Sequence, residues 1–275
     1  MPSVELTIEH NVVAADTIPA AASNSYTLPP ALSHLVDMIW FYENYDPPHN
    51  SERMLPSGTV EMVFDLSGNE AVVSGAHSVP AVLDTSQPFS VIGVHFKPGG
   101  AFPFFKPPVD ELRNIVVPLQ ALWGNSACDV TELLIEAKTL PQRFNIIESA
   151  LLNHAARYFN RHPAVDFALN QFEHIMSEPR IGEITEQIGL SSRRFIELFR
   201  SQVGLTPKLY CRVRRFQRML DLIHTTDDVE WTQFALDCGY YDQAHFIHDF
   251  QTFSDLSPSE YLRIRGEHLN HVPLP

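Results

Sequence analysis

The feature that most constrains the fold of this chain is a duplicated pattern in its C-terminal part. Each copy contains two phenylalanines, a proline and a tyrosine, with a glycine ahead of them, Gly189 in the first copy and Gly239 in the second. The second set follows the first at a constant offset: Phe195, Phe199, Pro207 and Tyr210 are repeated as Phe246, Phe250, Pro258 and Tyr261. Apolar residues at helical spacing flank both glycines, so each copy is predicted to form a helix, a glycine turn and a second helix.

Capping residues mark the predicted helix boundaries. Ser191 and Asp242 stand where each second helix begins, and a short oxygen side chain there can accept a hydrogen bond from a free backbone N–H. After that helix the first copy has Gly204, whereas the second has Asp255, which must then adopt the left-handed conformation that glycine takes easily. This is the layout of a helix-turn-helix, whose second helix enters the major groove of DNA.

Two such units on one chain resemble the DNA-binding domain of the AraC family of bacterial transcription regulators. The resemblance rests on IGLSSRRFIELFRSQVGLTPKLY in the first copy and CGYYDQAHFIHDFQTFSDLSPSEY in the second. Between them, the run from Lys208 to His224 has apolar residues at helical spacing and is predicted to be a linker helix of roughly 25 Å. The resemblance implies an all-α domain over 161–267, in which two helix-turn-helix motifs joined by a linker helix read two DNA half-sites.

The charge distribution differs sharply between the two copies. The chain has a net charge of −14, which by itself disfavours binding to a phosphate backbone. From Glu178 to Arg218, however, nine basic residues outnumber four acidic ones, whereas Met219 to Leu262 contains nine acidic residues and no lysine or arginine. Phosphate contacts are therefore expected mainly from the first motif and the linker helix.

The outward faces of the two recognition helices supply the candidate DNA contacts. Arg193 suits a bidentate contact to guanine and Glu197 could accept from cytosine, although the same residues could simply form an intrahelical pair on a solvated face. In the second helix Gln243 suits adenine, and His245 is as readily a packed residue as a DNA contact. The predicted DNA-binding residues are Ser192, Arg193, Arg194, Ile196, Glu197, Arg200 and Arg214, followed by Gln243, Ala244, His245, Ile247, His248 and Gln251.

The N-terminal half is predicted to be an α+β domain over 26–160, between a flexible tail at 1–25 and the helical domain, with a second tail at 268–275. The stretches MLPSGTVEMVFDLSG, VIGVHFKPGGAFPFF and VVPLQALWG resemble a domain that precedes AraC-type DNA-binding domains in uncharacterised regulators, which implies a small β-sheet or cupin-like half-barrel followed by helices. The predicted strands are Thr59 to Leu66, Ala71 to Ser74 and Ser90 to Phe96, and the predicted helices are Asp129 to Lys138, Pro141 to Phe159 and Ala164 to Ser177.

No catalytic or metal-binding constellation is evident in this half. The sequence lacks a G-x-S-x-G elbow, a phosphate loop and an H-E-x-x-H motif, and its histidines have no metal-ligand spacing. Its aromatic residues fit either an apolar effector pocket or a plain core. The candidate effector-binding residues are Glu61, Asp65, His95, Phe102 and Phe104.

These features predict a cytoplasmic regulator that binds double-stranded DNA, needs no cofactor and is not an enzyme. A small-molecule effector, RNA polymerase and a second copy of the chain are candidate partners, and no membrane span is expected. Two alternatives stay open. One is a regulator in which only the first motif binds DNA while the acidic second motif contacts a protein, and the other is an N-terminal enzyme fused to a DNA-binding module.

Overall fold

The computed structural model describes residues 28–155, 160–174, 180–224, 230–266 and 269–274. In these ranges a β-sheet-rich domain is followed by a helical domain, as predicted. The predicted tail at 1–25 lies outside the described residues. The strands are β1 (Val36–Tyr45), β2 (Ser51–Met54), β3 (Glu61–Asp65), β4 (Glu70–Ser74), β5 (Ala81–Asp84), β6 (Phe89–Phe96), β7 (Val116–Pro118) and β8 (His271–Pro273). The helices are α1 (Leu119–Trp123), α2 (Asn125–Glu136), α3 (Leu140–His154), α4 (Pro163–His174), α5 (Ile181–Ile188), α6 (Ser192–Val203), α7 (Pro207–His224), α8 (Trp231–Asp237), α9 (Gln243–Ser254) and α10 (Pro258–Ile264).

The strands form two antiparallel sheets. One has the order β1-β6-β3-β4-β7 and the other the order β5-β2-β8. The three predicted strands correspond to β3, β4 and β6. Strands β1, β2, β5 and β7 were not predicted, and among the short ones a segment such as SERM has no alternation of apolar and polar residues.

The prediction of a C-terminal tail is wrong for residues 271–273, because they form β8 and pair with β2. This strand is held by a side-chain cluster as well as by its backbone: Nδ1 of buried His271 lies 2.5 Å from a carboxylate oxygen of Glu52, and His49 contacts the other oxygen. Burial alone would raise the pKa of Glu52, but the hydrogen bonds and charges of His271 and His49 together lower it to about 2. The last described strand of the chain is therefore anchored in the first domain.

The three helices predicted ahead of the repeat are present as α2, α3 and α4, and the predicted helical residues 156–159 and 175–177 lie outside the described residues. Thr139 starts α3 with a capping box, since its hydroxyl accepts from the backbone N–H of Gln142 while the Gln142 side chain reaches back. The aromatic loop before α1 contains two short 3-10 turns, Phe102–Phe104 and Val109–Leu112.

Both copies of the repeat adopt the predicted helix-turn-helix geometry. The Ser191 hydroxyl accepts from the N–H of Arg194, and the Asp242 carboxylate accepts from the N–H of His245, so both recognition helices are capped as expected. Asp255 has φ of 56°, the left-handed conformation that was predicted for it. The linker helix α7 has 18 residues and is therefore about 27 Å long.

One apolar core runs through both domains. It joins the face of the larger sheet that carries Phe64 and Phe96 to the buried faces of α6 and α7, including Phe199 and Phe216. A second, smaller cluster around Trp40 lies on the opposite face of that sheet, beside Leu83 of β5. The helical domain is consequently packed directly onto the sheet domain.

Candidate nucleic-acid interface

The N-terminal half of α6 presents a polar, solvent-exposed face. Ser192, Arg193, Arg194 and Glu197 are all exposed, while Phe195 beside them is completely buried. This alternation follows from the helical period, which turns every third or fourth residue toward the core. Ile196 does not belong to the exposed face, because it is partly buried and packs against the core.

Arg193 and Glu197 interact with each other in this structure. The Arg193 Nε lies 3.0 Å from a carboxylate oxygen of Glu197, one helical turn away, and the Arg193 side chain is 91% exposed. Exposed pairs of this kind contribute little free energy. Breaking this pair so that both side chains can contact DNA therefore costs little free energy.

The C-terminal half of α6 is covered by the sheet domain. Nε of Arg200 lies 2.8 Å from a carboxylate oxygen of Asp110, in the second 3-10 turn. Just beyond the helix, a Cβ on Gly204 would lie 3.0 Å from that of Ala76 and 3.2 Å from a methyl of Val109. Arg200, predicted to meet DNA, is thus held by an acidic residue of the other domain.

Several linker-helix arginines also have partners inside the protein. Arg212 and Arg215 donate to the two oxygens of Asp249, at 2.6 and 3.1 Å, and this carboxylate on α9 is buried. Arg218 donates to the backbone carbonyl of Glu173 on α4. Part of the positive charge between Glu178 and Arg218 therefore already interacts with groups of the protein itself.

The exposed face of the second recognition helix has no lysine, arginine or carboxylate. Ala244, His245, His248 and Gln251 are exposed, whereas Gln243 is partly buried and accepts a hydrogen bond from the Thr232 hydroxyl at 3.3 Å. Ile247 is partly buried against the core, like its counterpart in the first copy.

Tyr241, directly before the α9 cap, was not among the predicted site residues. Its side chain is 89% exposed, although the adjacent Tyr240 is buried. The sequence offered no signal that separates Tyr241 from Tyr240, since both are tyrosines that precede the α9 cap. Tyr241 adds an aromatic ring and a hydroxyl to the exposed surface of the second motif.

Between the two domains lies a cleft of about 610 Å³, lined by residues of both. Arg214, predicted to bind phosphate, lines this cleft, as does Tyr210 one turn earlier on α7. Burial raises the pKa of Tyr210 to about 12, partly offset by the charge of Arg214, so the phenol remains protonated at neutral pH.

His95 is the one predicted effector residue that lines this cleft. It pairs with Glu61 on the neighbouring strand at 2.8 Å, and both are buried. The others lie elsewhere: Asp65 accepts from the backbone N–H of Ser67, Phe104 packs in the core against Phe96, and Phe102 packs against the same core. Of the two alternatives left open by the sequence, Phe102 and Phe104 follow the second, since both pack in or against the core rather than line the cleft.

Within the described ranges, no group of three or more histidine, cysteine or acidic side chains could hold a metal ion. In the same residues no helix is both long and apolar enough to cross a membrane.

Two family models match separate parts of the chain. Residues 184–264 match the model of a helix-turn-helix domain family, and residues 24–118 match a domain of unknown function, DUF6597. The chain is 25% identical over 161 residues to the HTH-type transcriptional activator RhaS of Klebsiella pneumoniae, which covers 55% of this chain and 53% of RhaS. It is 29% identical over 91 residues to an HTH-type transcriptional regulator of Haemophilus influenzae, covering 32% of this chain and 30% of that protein.

The match therefore spans about half the length of the first relative and about a third of the second. Among solved structures, ToxT from Vibrio cholerae aligns with a TM-score of 0.40 at 11% identity, over 82% of this chain and 94% of ToxT. The C-terminal domain of AraT from Geobacillus stearothermophilus aligns with a TM-score of 0.36 at 19% identity, over 38% of this chain and 88% of that domain.

Proposed function

We propose that this chain, which carries an AraC-type helix-turn-helix domain behind a β-sheet domain, is a transcription regulator that binds double-stranded DNA in a sequence-specific manner. The observation that carries the proposal is the capped, solvent-exposed N-terminal half of both recognition helices, α6 and α9. The residues at these helix starts are polar or small, and a helix in the major groove contacts base edges through its first turns.

The second part of the proposal is that the two motifs contribute differently to DNA binding. The first motif offers Arg193 and Arg194 for bases and phosphates, whereas the second offers Gln243, His248 and Tyr241 on a surface without a lysine or arginine. Affinity from phosphate neutralisation then comes mainly from the first motif, and the second adds sequence preference.

The sheet domain is proposed to be the sensing domain. It contacts the first recognition helix through the pair between Asp110 and Arg200 and through the packing of Val109 on Gly204. A ligand that changes the position of the sheet domain relative to α6 would therefore change how much of α6 is accessible to DNA. The shared apolar core gives this coupling a physical route.

The test is selection of bound sequences from a random DNA pool, followed by footprinting of the full chain on the selected site. Two protected elements are expected, about one helical turn or 10 bp apart. Arg193→Ala should weaken binding, and Arg263→Ala should not, because Arg263 is exposed on α10 outside both recognition helices. Absence of any selected sequence at low salt would overturn the proposal. Protection of a single element would favour the alternative in which the acidic second motif contacts a protein.

A further inference from the structure

The cleft between the two domains has the size of a small-molecule site and an unusual lining. Its volume of about 610 Å³ lies within the common range for ligand pockets. The sheet domain contributes Asp37, Ser57, Thr59 and Lys97, and the linker helix contributes Arg214. Most lining side chains end in a charge, a hydroxyl or an amide, so an apolar ligand would leave many polar groups without hydrogen bonds.

Two cationic side chains of this lining have N–H groups with which they can donate hydrogen bonds to a ligand. Lys97 donates to the carbonyl of Ser33 at 2.8 Å, which uses one of its three N–H groups. Arg214 is partly buried, and among the described residues it forms no ion pair. By contrast, Arg161, which also lines the cleft, donates to Asp166 and to the carbonyls of His34 and Pro98. Lys97 and Arg214 are therefore the groups suited to an anion.

The remaining lining fits hydroxyl groups. The Ser57 and Thr59 hydroxyls lie 2.7 Å apart, and each can donate or accept. Asp37 and Glu173 add carboxylates, which accept hydrogen bonds from ligand hydroxyls but repel additional negative charge. This combination disfavours a ligand with many charges and favours one anionic group on a hydroxylated body.

We infer that the cleft binds a small polyhydroxylated anion, a sugar acid or a sugar phosphate, with its charged group between Lys97 and Arg214 and its hydroxyls on Ser57, Thr59 and Asp37. The inference rests on the proposed role of the sheet domain as a sensor and specifies the ligand class of that role. Because Lys97 belongs to the sheet domain and Arg214 to the linker helix, the bound anion joins the two domains and favours the arrangement in which they are packed together.

The experiment is isothermal titration calorimetry of the full chain, without DNA, against gluconate, glucuronate, glucose 6-phosphate and glycerol 3-phosphate, with glucose and decanoate as comparators. At least one of the four anions should bind saturably, and it should bind more tightly than either comparator. Lys97→Gln and Arg214→Gln should each weaken that binding by about tenfold or more, the effect of losing one charge-assisted hydrogen bond.

Matched controls are Lys106→Gln and Arg113→Gln, which remove the same charges from exposed positions outside the cleft lining and should leave binding unchanged. The inference is overturned if none of the four anions binds, if glucose or decanoate binds as tightly, or if binding survives both cleft substitutions. Thermal unfolding of each variant separates loss of the site from loss of the fold, and the lysine variant serves if the arginine variant is unstable. Footprinting is measured separately, so a cleft that fails while DNA protection persists leaves the DNA-binding proposal standing.

Discussion

The two helix-turn-helix copies share their helices and caps but differ in what surrounds them. After α6 the turn is made by Gly204 with φ of 92°, where an added Cβ would lie 3.0 Å from the Cβ of Ala76 and 3.2 Å from a methyl of Val109, closer than ordinary van der Waals contact. After α9 the same left-handed turn is made by Asp255, which is exposed. Glycine is therefore favoured where a second domain covers the turn, and an aspartate is accommodated where the turn meets solvent.

A second difference concerns one position on the recognition helices. Leu198 in the first copy corresponds to Asp249 in the second, where the carboxylate receives Arg212 and Arg215 from the linker helix. The linker arginines thus hold the second copy in place. Substitutions in the two copies, and at Asp110 of the sheet domain, test these differences.

Asp249→Asn should lower the free energy of unfolding by about 3 kcal/mol, because removing one partner of a buried ion pair leaves the other charge uncompensated. Urea unfolding of the full chain measures this, and Asp237→Asn, an exposed acid of the same motif, should change stability by less than about 0.5 kcal/mol. Equal effects of the two substitutions would contradict the assigned role of Asp249.

The same pair carries a pH dependence with a definite sign. Burial would raise the pKa of Asp249, but the hydrogen bonds and charges of Arg212 and Arg215 hold it below its ordinary value of 3.8. A depressed pKa in the folded state means that the stabilisation is present above pH 3.8 and is lost as the pH falls further. The wild-type chain should lose this contribution in that acid window, and Asp249→Asn should not.

Gly204→Ala should lower the free energy of unfolding by about 2 kcal/mol, because the alanine must adopt the left-handed conformation and its Cβ lies against Ala76. Asp255→Gly, the reciprocal change in the second copy, should be neutral or stabilising by up to about 1 kcal/mol. Thermal and urea unfolding of both variants would measure the asymmetry. If both changes cost the same, packing by the sheet domain is not what demands the glycine.

Arg193→Ala makes the first copy resemble the second, where the corresponding residue is Ala244. Loss of a bidentate guanine contact should cost roughly 1 to 3 kcal/mol in DNA affinity and relax preference at one base pair. Competition binding with single-base variants of the selected site measures both quantities. A uniform loss over all sequences would identify Arg193 as a phosphate contact instead.

Asp110→Asn should increase DNA affinity by about two- to fivefold, since the ion pair that competes for Arg200 is partly exposed and contributes at most about 1 kcal/mol. The salt dependence should steepen by up to about one unit if Arg200 then contacts a phosphate. Glu111→Gln, at the next and exposed position, is the control and should change neither. Unchanged affinity in Asp110→Asn would mean that Arg200 does not contact DNA.

The repeat could be predicted from sequence because each copy carries its own signals. The caps at Ser191 and Asp242 and the left-handed Asp255 are local features, and the structure reproduces all three. The pairing of Arg200 with Asp110 could not be predicted, since an outward arginine has the same pattern whether it faces DNA or another domain. The strand at 271–273 was missed because three residues are too few to show a period.

That strand also affects how the protein is made. Glu52 and His271 are 219 residues apart in sequence. At roughly 5 to 20 residues per second, a ribosome needs about 10 to 45 s to synthesise the residues between them. During this interval β2 has an open edge on the side where β8 will pair. The charged side chains of Glu52 and Arg53 on this four-residue strand disfavour pairing with another nascent chain before its own partner emerges.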